Sequence, residues 1–214
     1  MDFDILYEAI EITCNRFNEM LNNFPKFKTE KEVKTFLENG LETCFDTIVA
    51  SGKDASEPHY SGNKTLENGF CVIDFGIKHK GICTDITRTI YIGEPSKEEV
   101  NLYNYLLQEH NRMIKQCKMG VNPTYIEKAF RKRLGDKNKL FIHRLSHGIG
   151  EKVHQALPSK LKEDSYITIE PGLYEKDKYG IRIEDDIIIK DGKRIVLTKD
   201  VSKKLKINYS HQQA

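Results

Sequence analysis

The chain has 214 residues, enough for one domain with a substantial core, since a chain of that size buries roughly 70% of the surface its unfolded form exposes. Its formal net charge is +2 with acids and bases interspersed, which gives no reason to expect nucleic acid or a membrane surface as a partner. No apolar run reaches the roughly 18 residues of a spanning helix, and the N-terminus carries Asp2, Asp4, Glu8 and Glu11 where a secretory leader needs a basic start, so a cytoplasmic protein is expected.

Residues 4–22 place Ile5, Ala9, Ile12, Phe17, Met20 and Leu21 at helical spacing, with Pro25 just beyond. Thr29 and Glu32 form a capping box that opens a second helix, with Val33, Phe36, Leu37 and Leu41 as its buried stripe. Strand-like runs follow at residues 45–50, 70–75 and 82–92. Ser96 and Glu99 repeat the capping box before a long helix carrying Val100, Tyr103, Leu107, His110, Ile114 and Cys117, with Gly120 expected at its C-terminal cap. Thr124 and Glu127 read as the cap of a shorter helix with Ile126, Ala129, Phe130 and Leu134. Strands are predicted again at residues 140–145, 166–169 and 181–189, and residues 206–214 are expected to form a flexible tail.

Long helix, capped helix, strand, loop and strand pair thus occur twice in the same order. The pattern suggests two similar halves, residues 1–94 and 95–205, about a pseudo-two-fold axis. No Pro/Gly/Ser-rich linker separates them, which predicts a single α+β domain. Cys14, Cys44, Cys71, Cys83 and Cys117 are scattered, odd in number and free of C-x-x-C pairs, and read as small buried thiols of a reducing compartment.

Chemistry concentrates on acids placed inside apolar strand patterns. Asp74 alternates with Phe70 and Val72 on one strand face, where a lone carboxylate costs several kcal/mol unless paired or metal-bound. Asp85 lies on the following strand, across a loop short enough for a hairpin, so the two aspartates could face each other with a cation between them. The bland alternative is a strand-end aspartate and a surface aspartate paired with Arg88. Glu170 ends the run at 166–169, and Glu184 shares the Arg182 face of the strand at 181–189. His147, flanked by Gly148 and Gly150, adds a nitrogen ligand. Four carboxylates balance two divalent cations, and the oxygen-rich set favours manganese, iron or cobalt over a structural zinc, with zinc still open. A metal pair about 3.5–4 Å apart can activate water for hydrolysis. Near such a site the loop histidines His59 and His154 could bind a substrate carbonyl or carboxylate. His79, His110 and His143 are read as structural, Asp186 as lying behind the site or on the surface, and Asp185 is unassigned.

The runs FDTIVASG, VIDFG, TDITRTIYIG, SHGIG, ITIEPGLY and GIRIEDDIII resemble the catalytic domain of the M24 metallopeptidases, the family that includes aminopeptidase P, prolidase and methionine aminopeptidase. The resemblance covers residues 6–199 and implies the pita-bread fold, a curved antiparallel sheet covered by helices with a di-metal site on its concave side. It implies that Asp74 binds one metal, that Asp85 and Glu184 bridge the pair, and that His147 and Glu170 complete the second site. Glu170 would also shuttle protons, while His59 and His154 would hold the substrate carbonyl and the tetrahedral intermediate. Tyr60 after His59, and Arg182 as a substrate-binding residue, look like the Xaa-Pro aminopeptidase and Xaa-Pro dipeptidase branch, since methionine aminopeptidases usually lack that arginine. The N-terminal domain usual in that branch is not found in this sequence, which leaves monomer or homodimer open, and Gln155 replaces an acid common after the second histidine. The implied function is a manganese-dependent exopeptidase acting on small peptides, with cobalt, iron or zinc as alternative metals. Methionine aminopeptidase and a non-catalytic binding module of the same fold are the alternative readings.

Overall fold

Capping sets where the helices begin. In the computed structural model, which describes residues 1–208, Asp2 accepts from the N–H groups of Asp4 and Ile5 and opens α1 (Phe3–Asn23). Full capping boxes open α2 (Glu30–Glu38) at Thr29 and α3 (Lys97–Gln116) at Ser96. The start of α4 (Pro123–Leu134) departs from expectation: its cap is Asn122, which accepts from the Thr124 N–H at 2.9 Å. Glu127 instead binds Arg131 Nε at 2.8 Å and the Leu145 N–H at 3.2 Å. Likewise α3 is capped at Cys117, and Gly120 turns the chain later, at φ +84°.

Among the described residues the strands form two ladders and two short hairpins. The first ladder has the order β1 (Ile48–Ser51), β2 (Gly69–Phe75), β5 (Ile86–Ile92) and β11 (Ile207–Asn208). The second runs β10 (Lys193–Val196), β9 (Asp185–Lys190), β6 (Tyr166–Ile169). The hairpins are β3 (Lys78–His79) with β4 (Ile82–Cys83), and β7 (Gly172–Glu175) with β8 (Tyr179–Arg182). All pairs are antiparallel except β11 with β5. The expected tail therefore begins as a strand, its Ile207 registered on Tyr91, while residues 209–214 lie outside the described residues.

Two predicted strands are broken, because the chain changes partners inside them. β4 pairs with β3 and β5 with β2, leaving Thr84 and Asp85 in the gap. β8 pairs with β7 and β9 with β6, leaving Ile183 and Glu184 in the second gap. The strand predicted at residues 140–145 is absent. Arg131 takes the carbonyls of Phe141 and His143 at 2.9 and 2.7 Å, so α4 side chains satisfy groups that a strand would pair. Ladder-like pairing starts later. The N–H groups of Glu170 and Thr168 donate to the carbonyls of Leu145 and His147 at 2.9 and 3.0 Å, and the Ile149 N–H donates to the Tyr166 carbonyl at 3.2 Å. Residues 145–149 thus flank β6 as β1 flanks β2.

One core packs Leu6, Phe17 and Met20 of α1 and Val33 and Leu37 of α2 against Cys71, Ile73 and Phe75 of β2. The other packs Tyr103, Leu106 and Met113 of α3 and Ile126 and Phe130 of α4 against Ile167, Ile169 and Ile187. Alternation along β2 then turns Val72 and Asp74 away from the helices. No helix among the described residues is long and apolar enough to cross a membrane.

Candidate metal centre

Strand ends and strand gaps deliver the five candidate ligands to one cavity. Asp74 stands near the end of β2, Asp85 and Glu184 fill the two gaps, Glu170 follows β6, and His147 lies on the segment beside β6. The β6–β9 register ends at Ile169 opposite Asp185, so Glu170 and Glu184 are the next facing positions. Asp74 faces Thr87 rather than Asp85, so the two aspartates approach from offset positions and not as cross-strand partners. Ligand atoms of Asp85, His147 and Glu184 all lie within 4.8 Å of one another. His147 Nε2 is 3.6 Å from Asp85 Oδ2 and 3.5 Å from Glu170 Oε1. The cavity, of about 590 Å³, is lined by all five, and by His59, His143, His154 and Arg182.

The donor set fits divalent cations. Asp74 Oδ1, Asp85 Oδ1 and Glu184 Oε1 are buried with no hydrogen-bond partner among the described residues, a costly state that a cation would relieve. His147 Nδ1 lies 3.0 Å from the Gly148 carbonyl, which fixes the proton there and leaves the Nε2 lone pair aimed at the carboxylates. Burial, and then the neighbouring Glu184 and Asp74, push the Asp85 carboxyl well above its usual range. Burial and Glu184 do the same to Glu170, and burial and Asp74 raise Glu184 to about 8. Burial holds His147 down to about 4, so it is a neutral imidazole at neutral pH.

The remaining predicted residues divide. His59 and His154 are exposed on the cavity wall, and the His154 ring packs on His147 at 4.4 Å between centroids. Arg182 also lines the cavity, but Nη2 binds Asp74 Oδ2 at 2.7 Å, Nη1 binds the Tyr174 hydroxyl at 2.8 Å, and Nε binds Thr87 Oγ1 at 3.1 Å. Its guanidinium is mostly engaged inside the protein. Tyr60 is buried, its hydroxyl donating to Glu30 at 3.0 Å. Arg88 pairs with Asp185 rather than Asp85, at 2.7 Å.

Residues 4–191 match the family profile described as Metallopeptidase family M24. The chain belongs to that family. It is 33% identical to the Xaa-Pro dipeptidase of Pyrococcus furiosus, an alignment covering 92% of this chain and 62% of that protein. It is 34% identical to an uncharacterized peptidase of Methanocaldococcus jannaschii, covering 88% of this chain and 59% of that one. The solved X-Pro aminopeptidase of Thermotoga maritima superposes with a TM-score of 0.88 at 35% identity, covering 96% of this chain and 63% of that one. The Xaa-Pro dipeptidase of Bacillus anthracis gives 0.86 at 34% identity, covering 96% and 62%. The M24 chain described here therefore has the pita-bread fold and spans 59–63% of the length of these relatives.

One residue on the cavity wall of this M24 chain, His143, and one beside it, Tyr174, escaped the sequence reading. His143, read there as structural, has Nδ1 3.6 Å from Glu170 Oε2 and Nε2 3.0 Å from the Tyr174 hydroxyl, and burial pushes its pKa down to about 3. Tyr174 joins it to Arg182. The available signal for His143 was parity: in an extended chain it shares a face with His147.

Proposed function

We propose that this chain is a dinuclear metal-dependent exopeptidase that hydrolyses the first peptide bond of small peptides, with Xaa-Pro as the preferred sequence. The observation that carries the reading is the convergence of Asp85, His147 and Glu184 within 4.8 Å, beside buried carboxylate oxygens that lack partners. The Xaa-Pro names of the similar dipeptidase and aminopeptidase support the substrate class.

Asp74, Asp85, His147, Glu170 and Glu184 would hold two divalent cations, with manganese first and cobalt, iron or zinc as alternatives. Such a pair supplies a Lewis acid for the scissile carbonyl and a water acidic enough to attack at neutral pH. The protein's own groups do the rest. Glu170 is half-buried between His143 and His147, with a raised pKa, and can hold the proton taken from water and pass it to the leaving nitrogen. His154 and His59 stand exposed on the wall and can donate to the carbonyl oxygen as charge grows on it. Arg182 acts mainly by holding Asp74 in place. A cavity of about 590 Å³ suits a short peptide.

The test compares Xaa-Pro dipeptides, Xaa-Pro tripeptides and Met-Ala peptides under the same metal. Fastest turnover of the proline substrates is expected. Preference for Met-Ala would move the chain to the methionine branch, and metal binding without turnover of any peptide would make it a binding module.

A further inference from the structure

We propose that Asp185 and Asp186, the two acids after Glu184, are the positioning residues of the metal centre: Asp186 fixes the backbone of Asp85, and Asp185, through Arg88, fixes the backbone of Glu184. The inference rests on the metal reading above and adds what holds the ligands still.

Strand alternation sends the two side chains to opposite sides of β9, and both residues are 0% exposed. Asp186 Oδ2 accepts the Asp85 N–H at 3.0 Å and the Tyr166 hydroxyl at 2.7 Å. The same hydroxyl lies 3.1 Å from the Cys83 carbonyl. Asp186 therefore holds the Asp85 end of the Cys83–Asp85 stretch, and the single Tyr166 proton is shared between Asp186 and the Cys83 carbonyl at the other end, across a strand gap where the ladder supplies no partner for the Asp85 N–H.

The other side is held as firmly. Asp185 Oδ1 accepts Arg88 Nη2 at 2.7 Å and the Thr198 hydroxyl at 2.8 Å, and its Oδ2 meets the Lys203 ammonium. Arg88, 2% exposed, sends Nη1 to the carbonyls of Glu184 and Thr87. Glu184 is thus gripped from behind, in the second strand gap. Thr198 ties the two acids together, because its hydroxyl also accepts the Asp186 N–H at 3.2 Å. Thr198 and Lys203 lie beyond residue 191, where the family match ends, yet they complete the brace.

Two carboxylates this deeply buried cost several kcal/mol unless their bonds repay it, and a fold needing only stability is served as well by apolar packing. What apolar packing does not give is a ligand backbone fixed to within about 0.5 Å, which a metal site requires. Groups that orient metal ligands typically contribute about 10- to 100-fold to metal affinity.

The experiment measures the Mn(II) dissociation constant by electron paramagnetic resonance of free Mn(II), with the melting temperature in chelator measured on the same preparation. The proteins are the wild-type chain, Asp186→Ala, Tyr166→Phe, Asp185→Asn and Thr198→Val, with Leu134→Ala as a stability control in the α4 core. All are compared well below their melting temperatures. Asp186→Ala, which removes the acceptor of both the Asp85 N–H and the Tyr166 hydroxyl, and Tyr166→Phe are expected to weaken Mn(II) binding by about 10- to 100-fold, while Leu134→Ala binds as wild type despite its lower melting temperature. Should Asp185→Asn fail to fold, Thr198→Val carries that arm, since it leaves Arg88 paired, and the same direction of change is expected. Binding within about twofold of wild type in Asp186→Ala and Tyr166→Phe, or in the folded variant of the Asp185 arm, or an equal loss in Leu134→Ala, overturns the proposal. Absence of binding by the wild-type chain overturns the metal reading itself and the positioning roles with it.

Discussion

At His147 a single short contact decides the chemistry of the imidazole. Nδ1 is committed to the Gly148 carbonyl at 3.0 Å, so only Nε2 can face Asp85 and Glu170. His154 differs: it is exposed, it leans on the His147 ring, and it lines the cavity. That contrast separates metal retention from transition-state stabilisation. His154→Ala is expected to keep full metal content and to lose on the order of 100- to 1000-fold in turnover, the usual consequence of removing one donor to a developing oxyanion. Metal analysis and kinetics on one preparation check this. Near-normal turnover would remove the role, and lost metal would make His154 a ligand.

Elements were legible in the sequence wherever the deciding forces are local. Thr29 with Glu32 and Ser96 with Glu99 close their capping boxes within one turn, and both helices start there. Thr124 with Glu127 has the same spacing but loses to Asn122, because Glu127 is drawn away by Arg131 and by Leu145, a residue distant in the chain. The four candidate carboxylates stood out because an acid inside an apolar alternating run needs a partner, while His147 was added as a nitrogen donor beside them and the full set rested on the family resemblance. The strand gaps that hold Asp85 and Glu184 were not readable, since each gap exists only because the flanking strands pair with different neighbours. His143 was lost for a related reason. The predicted strand at 140–145 is irregular, and its neighbour Tyr174 is 31 residues away.

For the whole molecule, burial of the acids, and then their crowding, makes stability depend on pH and metal together. In the chelated protein Glu184 keeps its proton up to about pH 8, whereas the unfolded chain releases it near 4.5. Between those values the folded state binds more protons than the unfolded one, so stability falls as pH rises. His147 works oppositely: its folded value of about 4 lies below the ordinary 6.5, so its contribution grows with pH up to 6.5 and then stays constant. Above 6.5 only the carboxylate effect remains. The melting temperature of the chelated chain is therefore expected to fall from about pH 6.5 to 8, and saturating Mn(II) to remove or reverse that fall, because metals bind the deprotonated ligands. Thermal scans with chelator and with Mn(II) across that range check it, and parallel curves would speak against it. The most direct test of the metal centre itself is calorimetric titration of the chelated chain with Mn(II), on wild type and Asp85→Asn. On the proposed dinuclear reading, two ions per wild-type chain and weakened binding at both sites in Asp85→Asn are expected. No binding by the wild-type chain, or an unchanged titration in Asp85→Asn, would contradict it.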